Sequence, residues 1–434
     1  MISTIHSCFS SLVALILLFC LSFPATAGFH SAQPMTVLTL GSWRTDDIPE
    51  MNVILGRFHE AHPDIRVVFD PTPAPDYDQV LTAQLEGGTA PDLFYLRSFT
   101  KSRQLHEAGH LEKLNDLPGL AWAFATESLA PWTGDDGVVY GVPFIATSHA
   151  VYYNADLFSK FGLSVPRTWE ELLAAAETLK KHGITPFANA CGDAWTINEI
   201  VFFNILPNFI GGRAGRLEYL AGRRCFNDES MVRAFEALHD LSRFFPDNHD
   251  FLRYSDSLQL FVQGKAAMWM GGSWDIPYFE QEKPAFSWRV FAPPPPAGYP
   301  GHITFHLDAG IGLNSASTRK EAARVFLTWL TNPATGELLG NTLPGFFPMH
   351  RTVPELDHAA AREFLSLNQG RGTDVRFVWD RLRDGNPDAY PLLMDLTKAV
   401  IRGDMSPRNA ADALQQGLAL WYEPARGCGR EPGP

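Results

Sequence analysis

Several tryptophans of this chain stand beside charged or turn-forming residues in segments that the sequence predicts to be loops. Trp43 precedes Arg44, Trp195 follows Asp193 by two positions, and Trp274 follows two glycines and a serine. A sugar-like solute offers a ring face that packs on an aromatic side chain, and hydroxyl groups that hydrogen-bond to charged side chains at about 1.5–3 kcal/mol each. These residue types therefore predict a site for a neutral, polyhydroxylated solute.

The sequence lacks several short motifs that are typical of enzymes and of cysteine-based metal sites. It contains no G-x-S-x-G, no phosphate-binding loop and no Rossmann glycine pattern, and its cysteines form no C-x-x-C. We therefore expect no catalytic residues, no metal and no cofactor. A glycoside hydrolase stays open, because its two carboxylates, about 5–10 Å apart, leave no fixed spacing in sequence.

Composition and charge exclude other classes. The 434 residues exceed one ordinary domain, and 45% hydrophobic with 19% charged residues is typical of a packed globular protein. The 35 basic and 48 acidic residues give a formal charge of −13, which repels phosphate backbones and anionic lipid surfaces. We expect two or more lobes and no nucleic-acid partner.

The N-terminal segment predicts export. An apolar run over residues 12–23 is followed by Pro24 and by the pattern Ala25-Thr26-Ala27, which is typical of a secretory signal peptide cleaved after Ala27. The run is shorter than the roughly 20 apolar residues of a transmembrane helix, although no Lys or Arg precedes it. We therefore predict a signal peptide over residues 1–27 and a soluble, periplasmic mature protein.

Removal of that segment leaves three cysteines, Cys191, Cys225 and Cys428, in an oxidising compartment. An odd number cannot pair completely. A bridge between Cys191 and Cys225 is one interpretation and buried free thiols are an equal alternative, with Cys428 in a mobile tail.

The first part of the mature chain alternates strand and helix patterns. Strands are predicted at residues 36–40, 65–69 and 93–96, and helices at 49–61 and 76–85. This order implies a parallel sheet, whose ligands meet the loops after the carboxyl ends of the strands. Those loops carry Trp43, Arg44, Tyr77 and Arg97, although a surface ion pair explains Arg97 equally well.

The remainder of the chain continues the alternation. Two short strands at residues 138–143 and 150–153, joined by the polar Thr147-Ser148-His149, predict the crossing into a second lobe. Thr168 and Glu171 form a capping box for a helix that continues to His182. Further helices are predicted at residues 196–206, 229–245, 320–330, 391–402 and 406–417, and a stiff connector at 293–296.

Several segments, taken in order, resemble the bacterial extracellular solute-binding proteins of sugar-type ATP-driven importers, the group that includes maltose-binding protein. They cover nearly the whole mature chain and are residues 58–63 (FHEAHP), 87–92 (GGTAPD), 140–143 (YGVP), 153–158 (YNADLF), 166–172 (PRTWEEL), 264–268 (GKAAM), 272–274 (GSW) and 310–314 (GIGLN). Each segment is weak alone, whereas their joint order is specific.

The resemblance implies a two-lobed α/β fold of periplasmic binding protein class II, with mostly parallel sheets flanked by helices and a multi-segment hinge. Lobe 1 is expected at residues 28–143 and 309–345, and lobe 2 at residues 144–308 and 346–434. Crossings then fall near Pro143, Asp308 and Gly345, so Ser148 and Asp308 can reach a ligand between the lobes. A structural arginine partner explains Asp308 equally well.

The resemblance also separates the tryptophans into two groups. It implies that Trp274 stacks on a sugar, and that Asp193 with Trp195 combines an acid and an aromatic ring at the site. The tryptophans without such loop context are assigned to the core or the surface, namely Trp169, Trp269, Trp288, Trp329, Trp379 and Trp421. The expected ligand-binding residues are Trp43, Arg44, Tyr77, Arg97, Ser148, Asp193, Trp195, Trp274 and Asp308.

The function that the resemblance implies is that of the periplasmic substrate-binding component of an ABC transporter. A monomer would capture a sugar, and an oligosaccharide in particular, between its lobes and deliver it to the membrane permease. The alternatives are an exported carbohydrate-active enzyme and a binding protein for a polyol or a glycerol phosphate. A phosphate ligand needs convergent cationic groups, and Arg44 with Arg97 leaves that alternative open.

Overall fold

The computed structural model describes residues 35–428, and the predicted signal peptide lies outside them. Strands within this range are β1 (Thr36–Ser42), β2 (Ile65–Pro71), β3 (Leu93–Arg97), β4 (Val142–Asn154), β5 (Thr185–Phe187), β6 (Ala266–Gly272), β7 (Trp288–Phe291), β8 (His302–Leu313) and β9 (Gly372–Asp374). None of the helices in this part of the chain combines the length and the apolar character that a membrane span needs.

Helices alternate with these strands, as in an α/β fold. The α-helices are α1 (Ile48–Ala61), α2 (Tyr77–Glu86), α3 (Thr100–Glu107), α4 (Leu120–Ala123), α5 (Thr126–Leu129), α6 (Ala155–Lys160), α7 (Trp169–Lys181), α8 (Ala194–Thr196), α9 (Phe203–Ile210), α10 (Gly212–Leu220), α11 (Glu229–Ser242), α12 (Tyr254–Val262), α13 (Ile276–Glu282), α14 (Lys320–Leu330), α15 (Pro333–Thr342), α16 (Ala359–Ser366), α17 (Ala389–Arg402), α18 (Pro407–Ala419) and α19 (Glu423–Arg426). A π-helix spans Ile197–Phe202, and 3-10 turns span Ala130–Trp132 and Ser273–Asp275.

The first three strands form the parallel unit that the sequence predicts. Strand β1 pairs in parallel with β2, with Thr36 opposite Ile65, and with β3, with Leu40 opposite Leu93. Helices α1 and α2 connect them, and α1 buries an apolar face that includes Phe58. The predicted βαβαβ unit is therefore confirmed.

Two long strands, β4 and β8, join the halves of the sheet. The strand order is β2-β1-β3-β8-β4-β6-β5, with β7 beside β4 and β9 beside β8. The prediction of two short strands on either side of residues 147–149 is wrong, because β4 runs through this segment without a break. Thr147 and Ser148 pair with β8 and His149 pairs with β6, so strand pairing continues through this segment despite its polar side chains.

The capping signals place the later helices well, with one exception. The hydroxyl of Thr168 accepts a hydrogen bond from the N–H of Glu171 at 3.2 Å at the start of α7. The single helix predicted over residues 196–206 is instead divided into α8, the π-helix and α9. Pro207 inside α9 removes one helical hydrogen bond, and the wider π turn precedes it.

A disulfide joins Cys225 to Cys428, and Cys191 is a buried free thiol. The bridge between Cys191 and Cys225 is therefore wrong, and Cys428 is tethered rather than mobile. Gln415 brings the two partners together, because its side chain accepts from the N–H of Phe226 and donates to the carbonyl of Ala425, both at 2.8 Å. This contact between distant segments left no signal in the spacing of the cysteines.

Replacing both Cys225 and Cys428 with alanine should lower the free energy of unfolding by about 2–4 kcal/mol, because the crosslink restricts the unfolded chain. Urea unfolding followed by circular dichroism measures the change. Alkylation of the urea-unfolded protein without reductant should label Cys191 and leave Cys225 and Cys428 unlabelled. Labelling of Cys225 would contradict this pairing.

Candidate functional site

A buried arginine, Arg376, joins two carboxylates at the centre of the candidate site. Its Nη1 atom lies 2.9 Å from Glu199 Oε2 and 3.4 Å from Asp308 Oδ1, and only 6% of its side chain is exposed. Tyr390 donates a hydrogen bond to the other carboxylate oxygen of Glu199. The π-helix, β8, α17 and the segment after β9 thus bring paired charges to one place.

Aromatic rings lie against this ion-pair cluster. The guanidinium carbon of Arg376 is 5.4 Å from the ring centre of Trp274 and 5.7 Å from that of Trp379. The indole N–H of Trp274 donates to the hydroxyl of Tyr254 at 2.9 Å, and the Tyr254 ring lies 5.0 Å from that of Trp195. Trp195 and Trp274 are half-buried. Trp195, Tyr254 and Trp274 therefore form a row of rings, the aromatic row, that ends at Arg376.

Asp193 holds the aromatic row in position. Its carboxylate accepts hydrogen bonds from the backbone N–H of Tyr254 at 2.9 Å and from Nε of Arg253 at 3.3 Å. Both carboxylate oxygens are engaged in this way, so Asp193 orients the loop before α12. Asp193 and Trp195 are thus brought together through Tyr254.

The turn that carries Trp274 is fixed by the strands beside it. Ser273 donates its hydroxyl to the carbonyl of Gly345 and accepts from the N–H of Ser148 at 3.0 Å. The Ser148 side chain is fully buried, and its hydroxyl has no hydrogen-bond partner among the described residues. Ser148 therefore contacts the site through its backbone, which supports the Trp274 turn.

Asp308 lies where charges from both halves of the chain meet. Burial raises the pKa of Asp308, whereas the nearby cations Arg376, Arg97 and Arg44 act to lower it. The arginine partner that the sequence allowed for Asp308 is Arg376. The structure thus brings Asp308, Arg44 and Arg97 within electrostatic reach of one another.

Trp43 and Tyr77 belong to the packed interior. Trp43 is 7% exposed and Tyr77 is 3% exposed, and their rings contact each other edge to face. The hydroxyl of Tyr77 donates to the carbonyl of Tyr95 at 2.7 Å. Arg97 stacks on Trp43 and forms an ion pair with Asp78 at 2.8 Å. These three predicted site residues lie together, but mainly in contact with one another and with their own half of the chain.

Arg44 is held by its neighbour Asp47. The guanidinium group contacts both carboxylate oxygens of Asp47 at 2.6 Å and lies over the ring of Phe346. Asp47 precedes α1 but makes no capping hydrogen bond to it through its side chain. The role of Asp47 is therefore to orient Arg44 rather than to cap the helix.

Comparison with known families decides the identity of the chain. The sequence profile of the bacterial extracellular solute-binding protein family matches residues 42–337, which is well over half of the chain. The chain belongs to this family. The two-lobed fold of these solute-binding proteins agrees with the structure.

The relatives of this solute-binding protein are named after several different ligands. It is 25% identical to a multiple sugar-binding protein of Streptococcus mutans, over 64% of this chain and 67% of the relative. It is 24% identical to an sn-glycerol-3-phosphate-binding periplasmic protein of Rhizobium meliloti, over 71% of this chain and 72% of the relative. A solved chitin oligosaccharide binding protein superposes with a TM-score of 0.77 at 23% identity, over 90% of this chain and 100% of that one.

Sequence reasoning missed part of the site in this solute-binding protein. Glu199, Tyr254, Arg376 and Tyr390 were not predicted, whereas Trp379, assigned to the core or the surface, is buried with 4% of the residue exposed. One signal was available for Arg376, because a charged residue stands inside the apolar run over residues 375–379 (VRFVW). Such a residue needs a buried partner, as Asp308 does between Leu307 and Ala309.

Two surface depressions of this solute-binding protein lie away from the aromatic row. One of about 930 Å³ is lined by residues such as Val165, Arg167 and Arg371, and one of about 840 Å³ by residues such as Trp288 and His358. Neither contains the ion-pair cluster or the aromatic row. We place the site by the convergence of paired charges and rings, because depth alone supplies no recognition chemistry.

Asp275, beneath the aromatic row, should give this solute-binding protein a pH-dependent stability. Tyr254 donates to one carboxylate oxygen of Asp275, and the other is buried and has no hydrogen-bond partner within residues 35–428. Burial raises the pKa of Asp275 to about 7, although the Tyr254 hydrogen bond and Arg44 oppose the rise. The folded state therefore keeps a proton that the unfolded state releases near pH 4. The contribution of Asp275 to stability is greatest below pH about 4 and is lost as the pH rises to about 7.

Asp275→Asn should remove this fall, because an amide does not ionise, while the Tyr254 hydrogen bond keeps an acceptor. Urea unfolding of the two proteins between pH 4 and pH 8 measures the difference. Asp240→Asn, at an exposed position, is the matched control and should keep the wild-type slope. An unchanged slope in Asp275→Asn would assign the pH dependence to another group.

Proposed function

We propose that this chain is the substrate-binding component of an ABC transporter that captures a sugar, and an oligosaccharide in particular, and delivers it to a membrane permease. The observation that carries the proposal is the aromatic row of Trp195, Tyr254 and Trp274, which ends at the Arg376 ion-pair cluster. Rings can pack on successive sugar faces while charged groups bind hydroxyls. The names of the sugar-binding and chitin oligosaccharide-binding relatives support the same ligand class.

The pairing of the site arginines favours a neutral solute over a phosphorylated one. Arg376 contacts Glu199 and Asp308, Arg44 contacts Asp47, and Arg97 contacts Asp78. Each cation is thus matched by at least one carboxylate, so a phosphate group would meet negative charge beside every positive one. A hydroxyl group can donate to such carboxylates and accept from the guanidinium groups.

We propose that ligand binds between lobe 1, at residues 28–143 and 309–345, and lobe 2, at residues 144–308 and 346–434. Contacts among the three crossing segments support a common hinge. Pro143 lies opposite Gly310, and Ala146 exchanges two backbone hydrogen bonds with Phe347 at 2.7 and 2.8 Å. The register of β4 and β8 shifts between Pro143 and Ala146, and such an irregularity gives the ladder a place to bend.

Two ion pairs join the proposed lobes away from the hinge. Arg103 contacts Asp384, and Arg381 contacts both carboxylate oxygens of Asp135. Opening the lobes would break both pairs. Their partly exposed partners imply that salt weakens this contribution to the closed form.

We infer that the protein binds its ligand without catalysing a reaction of it. Glu199 and Asp308 are both engaged by the same nitrogen atom of Arg376, an arrangement that suits hydrogen bonding to a ligand held unchanged. A glycoside hydrolase would use one carboxylate as a proton donor and the other as a base or nucleophile. We propose that the protein is periplasmic, because the family is extracellular. We propose that it acts as a monomer, because the closed form of one chain offers the surface that a permease recognises.

The test is calorimetric titration of the exported protein with mono-, di- and trisaccharides, polyols and glycerol phosphates, with each mixture analysed afterwards for ligand breakdown. We expect saturable binding of an unchanged oligosaccharide at micromolar affinity or tighter. Breakdown of the ligand would instead establish an enzyme. Binding of glycerol phosphate alone would overturn the proposal of a neutral solute. The absence of binding to any of the sugars would overturn the proposal of a sugar ligand.

A further inference from the structure

Three potential metal ligands of different chemical type meet outside the ligand site. Cys191 Sγ lies 3.3 Å from His249 Nδ1 and 3.1 Å from Asp250 Oδ1. One donor atom from each residue lies within 4.8 Å of the others. In a tetrahedral site with bonds of about 2.0–2.3 Å, neighbouring donor atoms are separated by roughly 3.3–3.8 Å. The three groups are therefore spaced almost as a bound ion requires.

The backbone holds the three groups at this spacing. The N–H of Cys191 donates to the carbonyl of His249 at 2.9 Å, and the N–H of Gly192 donates to the carbonyl of Leu252 at 3.0 Å. A Cβ atom on Gly192 would lie 2.4 Å from the Leu252 oxygen, so this close approach of the two loops requires glycine. The site does not depend on long, mobile side chains.

The burial of the three residues suits an ion that enters from solvent. Cys191 is fully buried, whereas His249 and Asp250 are partly exposed. The same Oδ1 atom of Asp250 that lies near Cys191 also accepts a hydrogen bond from Nε of Arg402 at 2.8 Å, so a bound ion would displace Arg402 from Oδ1 or use Oδ2 instead. Metal binding requires the thiolate, so the S–H bond of Cys191 breaks as the S–metal bond forms and the proton passes to solvent.

We propose that Cys191, His249 and Asp250 form a site for a single transition-metal ion of the Zn²⁺ type, with water completing the coordination. Thiolate, imidazole and carboxylate are the ligands that zinc uses in proteins, and three protein ligands leave one position open. The sequence did not predict this site, because its ligands come from two loops that are distant in sequence. The proposal is independent of which solute the protein carries.

The metal site lies next to the support of the aromatic row. Asp193 follows Cys191 by two residues, and its carboxylate accepts from the N–H of Tyr254. An ion at Cys191 and His249 would link the loops on either side of this contact. Metal binding therefore stabilises the folded loops by mass action.

The experiment is titration of the exported protein with Co²⁺, a spectroscopic substitute for Zn²⁺, followed by displacement with Zn²⁺. We expect one Co²⁺ per chain, with the near-ultraviolet charge-transfer absorption of a thiolate-bound ion. Cys191→Ser and His249→Ala should lose that absorption and at least about tenfold in affinity, in line with loss of a metal ligand or its support. His239→Ala, at an exposed histidine beside Asp240, is the matched control and should bind Co²⁺ as wild type does.

Folding is checked separately by comparing thermal unfolding of all proteins without metal and with Zn²⁺. Zn²⁺ should raise the midpoint of wild type and His239→Ala, and should leave those of Cys191→Ser and His249→Ala unchanged. The disulfide cysteines carry no thiol, so they cannot supply the absorption. Absorption that persists in Cys191→Ser, or Co²⁺ binding to wild type without it, would overturn the proposal.

Discussion

Arg376→Ala is expected to lower the free energy of unfolding by about 3–5 kcal/mol, because it leaves two largely buried carboxylates without their cation. The side chains of Glu199 and Asp308 are only 13% and 16% exposed. Burial already raises the pKa of Asp308, and Arg376 is the strongest of the cations that oppose this rise. Urea unfolding at pH 7 measures the loss, and ligand titration of the folded variant should show no saturable binding.

Arg408→Ala is the matched control for this prediction. Arg408 also contacts a carboxylate, that of Glu229 at 2.8 Å, but the two side chains are 49% and 69% exposed. Exposed pairs contribute about 0–1 kcal/mol, so this variant should differ little from wild type. The triple variant Arg376→Ala, Glu199→Gln, Asp308→Asn should regain part of the loss, because amides replace the unpaired charges. Equal effects at Arg376 and Arg408 would contradict the buried-cluster interpretation.

Local patterns were sufficient to predict much of the fold. The strands β1, β2 and β3 and their helices follow from short-range periodicity and from turn residues, which act within a few positions. The helix α14 agrees with its predicted range of 320–330 because its apolar stripe is unbroken. The break predicted within residues 138–153 was wrong because pairing with β8 and β6 decides that segment, and strand pairing is a tertiary effect.

The candidate site was predictable only at loop residues whose sequence neighbours are typical of a binding site. Trp274 and Trp195 were found from glycine and acid neighbours and from the family resemblance, and both lie in the aromatic row. Trp43 was chosen by the same reasoning but is packed against Tyr77, because a strand-end loop can turn its side chain into the core as well as out of it. Arg376 was missed, since the contacts that define it come from residues 68 and 177 positions away.

A large effect on ligand binding, separate from any loss of a buried charge pair, is expected from removing two rings of the aromatic row together. Trp195→Ala combined with Trp274→Ala should weaken binding of the oligosaccharide identified by calorimetry by about 10³-fold, because each large buried contact contributes about 2 kcal/mol and tenfold corresponds to about 1.4 kcal/mol. Both side chains are half-buried, so the variant should remain folded. Titration calorimetry gives the affinity, and circular dichroism tests the fold.

Two further variants separate ring stacking from general destabilisation. Trp195→Phe combined with Trp274→Phe keeps an aromatic face at each position but loses the hydrogen bond from Trp274 to Tyr254, so it should retain most of the affinity. Trp122→Ala removes a tryptophan that is 67% exposed outside the row, and it should bind as wild type does. A folded double alanine variant with wild-type affinity would show that the aromatic row is not part of the site. Equal losses of affinity in the alanine and phenylalanine variants would assign the binding energy to the indole hydrogen bond instead of to stacking.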